Sequence, residues 1–316
     1  MSDFANYFSA RVLAVIVLYK LSPGESVAFN TLQASILSQQ YKSENIKVLL
    51  YDNTPGGQDI GALPANVQFK ADFENGGLAK AYNYALEIAQ DENFGWLLTL
   101  DQDTSLPINF VNSLFRTADF VAPLNSVAAI VPCVSDCGRV MSPGVPRIYQ
   151  SLTKHFPEGF IGISLKETIA INSASTLRVD AIKSIGGYDS RFALWHSDIV
   201  MFHRIYCNHF KVFVAGNIYV DHEMSFLDLQ NRSTPNKYED MLRAEEAFYD
   251  EYVKGIGHLA LVLRIVYRMA YTLWKTKANA SYFWINLRFL CAGLFYSRKH
   301  RVKRWEQAIA TKRRNS

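Results

Sequence analysis

The stretch WLLTLDQDTSLP, residues 96–107, ends an apolar run in two aspartates that are separated by one residue. Residues 96–100 are uncharged, which predicts a buried strand, and Pro107 limits regular pairing beyond it. Because side chains alternate along an extended chain, Asp101 and Asp103 point to the same face. Two carboxylates there suit one divalent cation and the anionic group it carries, although two solvated acids on a loop explain the same string.

Strands and helices alternate around this stretch. Residues 12–19, VLAVIVLY, form a continuous apolar run, which is typical of a central strand covered on both faces. Helical spacing follows over 25–40, and a second run, IKVLLY at 46–51, leads into Asp52 and Asn53. This order predicts an α/β fold with a Rossmann-like, mostly parallel sheet flanked by helices, in which ligands collect at the carboxyl ends of strands.

A glycine pair precedes the next predicted helix. A short strand at 67–71 is followed by Asn75, Gly76 and Gly77, and then by a helical pattern over 78–89. Such a pair lets backbone approach a phosphate closely, but taken alone the segment is better explained by a tight turn. The segment lacks G-x-G-x-x-G and G-K-[ST], so neither a dinucleotide fold nor a P-loop is supported.

The second half of the chain is less regular. A helix is predicted at 108–119 and a strand at 127–133. Residues 134–168 are rich in Gly, Pro and polar groups, which predicts a long, partly mobile loop across the sheet. A strand at 169–177 and a short helix that begins at 179 and is stopped by Gly186 and Gly187 follow.

The remaining pattern predicts one further helix and a strand pair before the C-terminal region. Asp198 is placed just before the helix, whose sheet-facing side is Ile199, Phe202, Ile205 and Tyr206. Two strands, 211–214 and 218–220, then lead to His222, and residues 225–253 have a helical pattern.

Charge is unevenly distributed. Of the 33 Lys and Arg, fourteen lie in residues 254–316 against one acid, which leaves 19 basic and 28 acidic residues before them. A basic tail on an acidic body indicates a polyanionic partner. The four cysteines have no zinc spacing, and the N-terminal segment resembles neither a secretion signal nor a membrane span, so we expect a cytoplasmic protein with reduced thiols.

Five segments now carry a family resemblance when they are taken in order: VIVLY at 15–19, YDNT at 51–54, ENGGLAKAYNYAL at 74–86, LDQDT at 100–104 and GGYDSRFALWHSDIVMFHR at 186–204. They resemble the inverting glycosyltransferases of family 2, and the LDQD form favours the rhamnosyltransferase branch. The resemblance implies a GT-A nucleotide-diphospho-sugar transferase fold over 1–253, followed by a C-terminal basic amphipathic helical region over 254–316.

By this resemblance, the ends of the first strands hold the donor nucleotide. Tyr19 borders the base, Asp52 binds its imide edge, and Asp101 contacts the ribose or the water shell of the metal. The implied nucleotide-binding residues are Tyr19, Asp52, Asn75, Gly76, Gly77, Asn83 and Asp101.

The resemblance also implies a divalent metal, Mg²⁺ or Mn²⁺. Asp103 is its direct ligand and Asp101 lies beside it, while His222 can complete the coordination, although a lone histidine is often structural. Such a metal offsets charge on the departing diphosphate.

Inversion requires a base on the face of the sugar opposite the diphosphate. Asp198 is the candidate, because the carboxylate of the family stands six residues before an arginine, which is Arg204 in this chain. Ser197 and Val200 stand where many members have acids, which weakens the expected acceptor contacts. The acceptor-side candidates are Ser173, Trp195 and Arg204.

Two apolar stretches in residues 258–296 are interrupted by Arg264, Arg268 and Arg288, and each is too short or too charged to span a membrane comfortably. They predict interfacial helices on an anionic membrane surface. The tryptophans suited to the headgroup zone are Trp274, Trp284 and Trp305. A basic helical hairpin packed on the catalytic domain, or a nucleic-acid patch, is the alternative.

These observations predict a peripheral enzyme at the cytoplasmic face of the inner membrane, with no nucleic-acid partner. The resemblance implies that it moves L-rhamnose from dTDP-L-rhamnose to a polyprenyl-diphosphate-linked glycan in the synthesis of O-antigen or capsule. A UDP-sugar donor, a sugar nucleotidyltransferase and a non-catalytic membrane scaffold are the alternatives.

Overall fold

A computed structural model describes residues 10–38, 45–146, 154–222, 234–253, 257–275 and 280–315. Within these ranges nine strands form one mixed sheet with helices on both faces. The predicted α/β architecture is therefore confirmed.

The strands are β1 (Val12–Leu18), β2 (Ile46–Asp52), β3 (Val67–Ala71), β4 (Trp96–Asp101), β5 (Val127–Asp136), β6 (Arg139–Ser142), β7 (Gly144–Val145), β8 (Lys154–His155), β9 (Ile161–Ser164), β10 (Ser175–Arg178) and β11 (Lys211–Asp221). Their order in the main sheet is β3-β2-β1-β4-β10-β5-β11-β9, with β6 on β5, while β7 and β8 form a separate ribbon. The pairs of β1 with β2, β1 with β4, β2 with β3 and β5 with β11 are parallel. β10 runs antiparallel to β4 and β5, and β9 antiparallel to β11.

The helices are α1 (Val27–Leu37), α2 (Gly77–Asp91), α3 (Phe110–Val121), α4 (Val179–Ser184), α5 (Ser197–Cys207), α6 (Pro235–Glu251), α7 (Gly257–Lys275), α8 (Ala280–Phe295) and α9 (Arg298–Asn315). α1 and α3 bury their apolar sides in the core on one face of the sheet. α2, α4 and α5 do so on the other face. Every residue of β1 is buried, which is why its sequence is apolar without alternation.

Several predicted elements differ from the structure. The predicted loop at 134–168 contains β6 to β9, and β9 is an edge strand of the main sheet; residues 147–153 of that loop lie outside the described ranges. The strand predicted at 169–177 begins only at Ser175, because Ala174 has a φ of 62° and interrupts the extended chain.

Two further differences concern the segments around α5 and β11. The predicted strand pair at 211–220 is one strand, β11, with an irregular register between Ala215 and Tyr219. Tyr206 is 42% exposed instead of facing the sheet, where Phe202 and Ile205 pack. The helix predicted from 225 begins at Pro235, and residues 223–233 lie outside the described ranges.

The C-terminal helices share a third core with part of the α/β body. Apolar side chains of α6 to α9 surround Phe192 and Val200 of the α5 region. Trp305 is buried there, with its ring centroid 4.8 Å from that of Phe192, so its predicted place in a headgroup zone is wrong. The side chain of Trp274 lies outside the described set. No described helix combines the length and apolar character needed to cross a membrane.

Candidate functional site

The carboxyl ends of β1, β2 and β4 lie side by side, because the three strands are parallel neighbours. Leu18 at the end of β1 pairs with Asp52, and Asp101 ends β4 on the other side. Tyr19 follows β1 and is 43% exposed, and its backbone N–H donates to Oε1 of Gln102 at 2.8 Å. Three of the predicted nucleotide-binding residues therefore meet at one edge of the sheet.

Two buried acceptor atoms at the end of β2 have no hydrogen-bond partner in the described part of the chain. Oδ1 of Asp52 accepts hydrogen bonds from the backbone N–H of Thr54 at 2.9 Å and from Nε2 of Gln58 at 3.1 Å. Oδ2 of Asp52 and Oδ1 of the neighbouring Asn53 are buried and have no hydrogen-bond donor. Because buried polar atoms are normally satisfied, this pair has room for donors of a ligand.

Asp101 and Asp103 lie beside the imidazole of His222. Nδ1 of His222 is 3.2 Å from Oδ1 of Asp103, and Nε2 is 3.8 Å from Oδ2 of Asp101. Paired backbone hydrogen bonds between Ser105 and Asp221 bring the end of β11 to the end of β4. Burial disfavours the charged ring, but the hydrogen bond to Asp103 and the surrounding carboxylates raise the pKa of His222 above its ordinary value.

The two carboxylates of this cluster fit Mg²⁺ or Mn²⁺, which prefer oxygen ligands. Asp103 is 44% exposed and open to solvent. In the described residues, no three His, Cys, Asp or Glu side chains already converge in a metal-binding geometry. A cation bound here would compete with the contact between His222 and the two acids, and only the neutral imidazole can bind a cation.

Ser173 lies beside the cluster because β10, which follows it, runs in the opposite direction to β4. Because β10 is antiparallel to β4, the residues before it lie at the carboxyl edge. The Ser173 hydroxyl is buried, donates to Oδ2 of Asp101 and lies 3.5 Å from Nδ1 of His222. The other oxygen of Asp101 accepts from the Tyr82 hydroxyl at 3.1 Å. Ser173 therefore supports Asp101, and its acceptor-side role stays a prediction.

Asp198 is the second residue of α5 and lies inside its first turn. Oδ1 of Asp198 accepts the backbone N–H of Ile199 at 2.8 Å. Burial raises the pKa of Asp198 to about 6; the charge of Asp101 adds to the shift and the hydrogen bond from Ile199 opposes it. A carboxylate with this pKa is suited to take a proton near neutral pH.

A buried polar network underlies the start of α5. Nδ2 of Asn172 donates to Oγ of Ser197 at 3.0 Å, and Oδ1 of Asn172 accepts the Tyr188 hydroxyl at 3.1 Å. The Thr99 hydroxyl donates to the carbonyl oxygen of Asn172 at 2.6 Å. The hydroxyl of Ser197 thus has a partner inside the protein. The sequence carried no motif that marks Asn172, because its partners come from separate strands and loops.

Asp72 organises the turn before α2, although no sequence motif singled it out. Its carboxylate accepts the Tyr51 hydroxyl at 2.9 Å, the backbone N–H of Gly76 at 3.1 Å and Nζ of Lys80 at 3.0 Å. Burial alone would raise the pKa of Asp72, but these donors and the charge of Lys80 lower it. The sequence did contain one indication of Asp72: it directly follows β3, much as Asp52 ends β2.

Gly77 is in close contact with protein. Its φ is +84°, and a Cβ atom there would lie 2.5 Å from the carbonyl oxygen of Ala193. The same carbonyl accepts the backbone N–H of Ala79 at 3.3 Å. This contact joins the start of α2 to the segment that leads into α5, and it explains the glycine without a phosphate. The nucleotide contacts of Asn75, Gly76 and Gly77 stay predictions.

Two side chains that were predicted to bind a ligand make hydrogen bonds to backbone groups of the protein instead. The Asn83 amide donates to the Tyr188 carbonyl oxygen at 2.9 Å and accepts the Tyr188 N–H at 2.8 Å. The Arg204 guanidinium donates to the carbonyl oxygens of Gly187 and Ile185. Both side chains hold the turn before α5, which explains them without a ligand.

The ligand roles of these side chains are therefore not needed to account for their positions. The nucleotide role of Asn83 and the acceptor role of Arg204 stay predictions. Trp195 is partly buried against the third core, and its acceptor role also stays a prediction.

Solved glycosyltransferase structures share this fold. S. aureus TarS 1-349 in complex with UDP-GlcNAc has a TM-score of 0.53 at 13% identity, over 96% of this chain and 92% of that chain. GalNAc-T7 with UDP, GalNAc and Mn²⁺ has a TM-score of 0.55 at 12% identity, over 91% of this chain and 56% of that chain. The likeness confirms the GT-A glycosyltransferase fold. No protein family and no curated protein matches the sequence.

Proposed function

We propose that this protein is an inverting glycosyltransferase that uses a nucleoside diphosphate sugar together with Mg²⁺ or Mn²⁺. The observation that carries the proposal is that two neighbouring residues link the start of α5 to the acidic cluster: Ser173 donates to Asp101, and Asn172 donates to Ser197, the residue before Asp198. The unpaired acceptors of Asp52 and Asn53 support a nucleobase at the neighbouring strand end. TarS with UDP-GlcNAc and GalNAc-T7 with UDP and Mn²⁺ have the same fold.

In the proposed reaction Asp198 takes the proton of the acceptor hydroxyl as its oxygen forms a bond to C1 of the sugar. The bond between C1 and the diphosphate oxygen breaks on the opposite face, and its electron pair leaves with the nucleoside diphosphate. Asp103, Asp101 and His222 would hold the cation, which offsets charge on the diphosphate when it is bound. Asp52 would accept the imide N–H of the base.

We propose dTDP-L-rhamnose as the donor, because the metal motif has the LDQD form. We propose a glycan on polyprenyl diphosphate as the acceptor. A UDP-sugar is the second candidate, because the TarS structure contains UDP-GlcNAc. Thymine and uracil both present an imide N–H, so hydrogen bonding to Asp52 does not separate them.

A thermal-shift series with Mn²⁺ tests the donor. At a hundredfold excess over the dissociation constant, a true donor stabilises the protein by about 2.7 kcal/mol, which raises the melting temperature by several degrees. We expect this shift with dTDP-L-rhamnose and not with ADP-glucose, whose base lacks an imide. Stabilisation by UDP-GlcNAc alone would replace the rhamnosyl donor by a UDP-sugar.

Two assays separate the remaining alternatives. A sugar nucleotidyltransferase would release diphosphate from a sugar phosphate and a nucleoside triphosphate, and we expect none. A non-catalytic scaffold would not hydrolyse its donor, whereas we expect slow, metal-dependent hydrolysis that Asp103→Ala abolishes.

A further inference from the structure

The outer face of α7 is apolar although the middle of the helix carries two arginines. Four of its residues, Leu259, Leu263, Val266 and Tyr267, are between 41% and 58% exposed and recur at helical spacing. Arg264 and Arg268 lie on the inner side instead. The usual order of a surface helix, with charge outside and apolar residues inside, is therefore partly reversed.

Glu245 of α6 explains this orientation. Its side chain is 1% exposed, Nε of Arg264 lies 2.9 Å from it, and Arg268 donates to both of its oxygens. Burial disfavours the ionised carboxylate, but the two arginines lower the pKa of Glu245 to about 2. A buried charge is costly without its partners. Turning the arginines outward would leave Glu245 unpaired, so the apolar side of α7 stays outside.

α8 packs against α7 and also carries exposed apolar side chains. Trp284 is 62% exposed and Phe295 is 79% exposed. Nε2 of His258 lies 2.7 Å from the carbonyl oxygen of Gly293, which joins the start of α7 to the end of α8. The outer apolar surface is defined as Leu259, Leu263, Val266, Tyr267, Trp284, Leu294 and Phe295. Arg288 is also exposed on α8, and it pairs with Glu239 of α6.

Positive charge lies next to this surface. α9 begins three residues after Phe295, and Arg298, Lys299 and Lys303 are exposed in its first turns. Acids of α6 pair with arginines of α7, α8 and α9, including Arg298 and Arg301, but α9 has eight Lys and Arg against one acid, Glu306, so its charge is net positive. Apolar side chains flanked by cations match the acyl boundary and the headgroups of an anionic bilayer.

We propose that the outer apolar surface docks on an anionic bilayer, with α7 and α8 lying in the interface. A second copy of the chain fits this surface less well, because a symmetric contact would bring two basic α9 helices together. A nucleic acid would use the cations and leave the apolar side chains in water. The inference does not depend on the proposed glycosyl transfer, since docking requires no donor.

Sedimentation of the full chain with vesicles tests the proposal. With phosphatidylcholine vesicles that contain phosphatidylglycerol, we expect binding about tenfold tighter than with phosphatidylcholine alone, and weaker binding at high salt. The paired change Leu263→Ser and Val266→Ser should weaken binding about tenfold. The pair Lys299→Glu and Lys303→Glu should abolish the preference for phosphatidylglycerol.

The matched control is Leu165→Ser with Lys166→Glu, since both residues are exposed just after β9 and belong to none of the helices α7 to α9. Phe295→Ser serves as a second apolar variant if the first pair melts early. Three results would overturn the proposal: wild type that stays in solution with both vesicles, a control that loses as much binding as the test variants, or an apolar variant that disrupts only a dimer in solution. If wild type binds the vesicles but shows no transfer activity, that result would count against the proposed function and not against docking.

Discussion

The imidazole Nδ1 of His222 lies 3.2 Å from Oδ1 of Asp103, although the two residues follow strands in different halves of the sheet. The contact brings a histidine and two acids together at one edge of the sheet. Only the neutral imidazole can bind a cation, so metal affinity should rise with pH as His222 loses its proton.

Asp103→Ala should lower the affinity for Mn²⁺ in the presence of UDP by more than about tenfold, because the most exposed carboxylate of the cluster is lost. Titration calorimetry with Mn²⁺ measures this effect. Asp91→Ala, which removes an exposed acid at the end of α2, is the control and should leave the affinity unchanged. Equal losses in both variants would remove Asp103 from the metal site.

Asp198→Asn should lower transfer by about 10²- to 10⁴-fold while donor binding is retained, because the amide cannot take a proton. In wild type the rate should fall below pH 6, where Asp198 with its pKa of about 6 becomes protonated. A transfer assay from pH 5 to 8 measures both effects. A variant that turns over normally would exclude Asp198 as the base.

The same substitution has a second readout in stability. The pKa of Asp198 is raised in the folded state from an ordinary value of 3.8, so wild type loses stability as pH rises from about 4 to 6. Asp198→Asn should therefore raise the free energy of unfolding by about 1–2 kcal/mol at pH 7.5, and by less at pH 4.5. Urea unfolding at both pH values measures the difference. An equal effect at the two pH values would argue against the raised pKa.

Asn83→Ala should lower the free energy of unfolding by about 1–3 kcal/mol, because two backbone groups of Tyr188 lose their partner. Asn30→Ala is matched in chemistry but breaks one exposed hydrogen bond to Gly24, and should cost about 0.5 kcal/mol or less. Urea unfolding compares the two. If Asn83→Ala were neutral for stability and weakened only donor binding, the side chain would act on the nucleotide instead.

Gly77→Ala and Gly56→Ala separate backbone strain from lack of space. Gly56 has a φ of +77° and no atom within 4 Å of the position that a Cβ would take, whereas at Gly77 the Ala193 carbonyl oxygen is 2.5 Å from that position. We expect Gly56→Ala to cost about 1–2 kcal/mol, from φ alone, and Gly77→Ala about 1–3 kcal/mol more, from the clash. Thermal unfolding measures both, and equal costs would show that the contact with Ala193 relaxes easily.

Arg268→Met should lower the free energy of unfolding by about 3 kcal/mol, because it removes one of the two arginines that neutralise buried Glu245. Arg288→Met is the control. Arg288 is 53% exposed and pairs with Glu239, so its replacement should lower the free energy of unfolding by about 0–1 kcal/mol. Chemical denaturation distinguishes them. Similar small costs would mean that Glu245 is stabilised in another way.

The strands that open the chain could be predicted from sequence, because a fully covered strand such as β1 needs every residue to be apolar. The acids at their ends followed from the parallel order, which places Asp52 and Asp101 on either side of β1. β10 was predicted, but with a start at residue 169 instead of Ser175. β9 was missed inside the predicted loop at 134–168, because it is four residues long and pairs with β11, a strand distant in sequence.

Side-chain roles were less predictable than positions. Asn83 and Arg204 occur in segments that resemble the family, but only the fold reveals that Tyr188, Gly187 and Ile185 occupy their polar atoms. The sequence also did not reveal which side of α7 faces the rest of the protein. Its sequence shows arginines on one face, and the buried partner that draws them inward, Glu245, belongs to another helix.

The third core joins the helix that carries Asp198 to the C-terminal helices. Val200, two residues after Asp198, packs in the same cluster as Leu261 and Ile265 of α7. We therefore expect a change of side-chain volume in α7 to affect the packing at the first turn of α5. We expect the two helices to vary together across related proteins, and a chimera that exchanges only residues 254–316 to need compensating changes around Val200 before it folds as well as either parent.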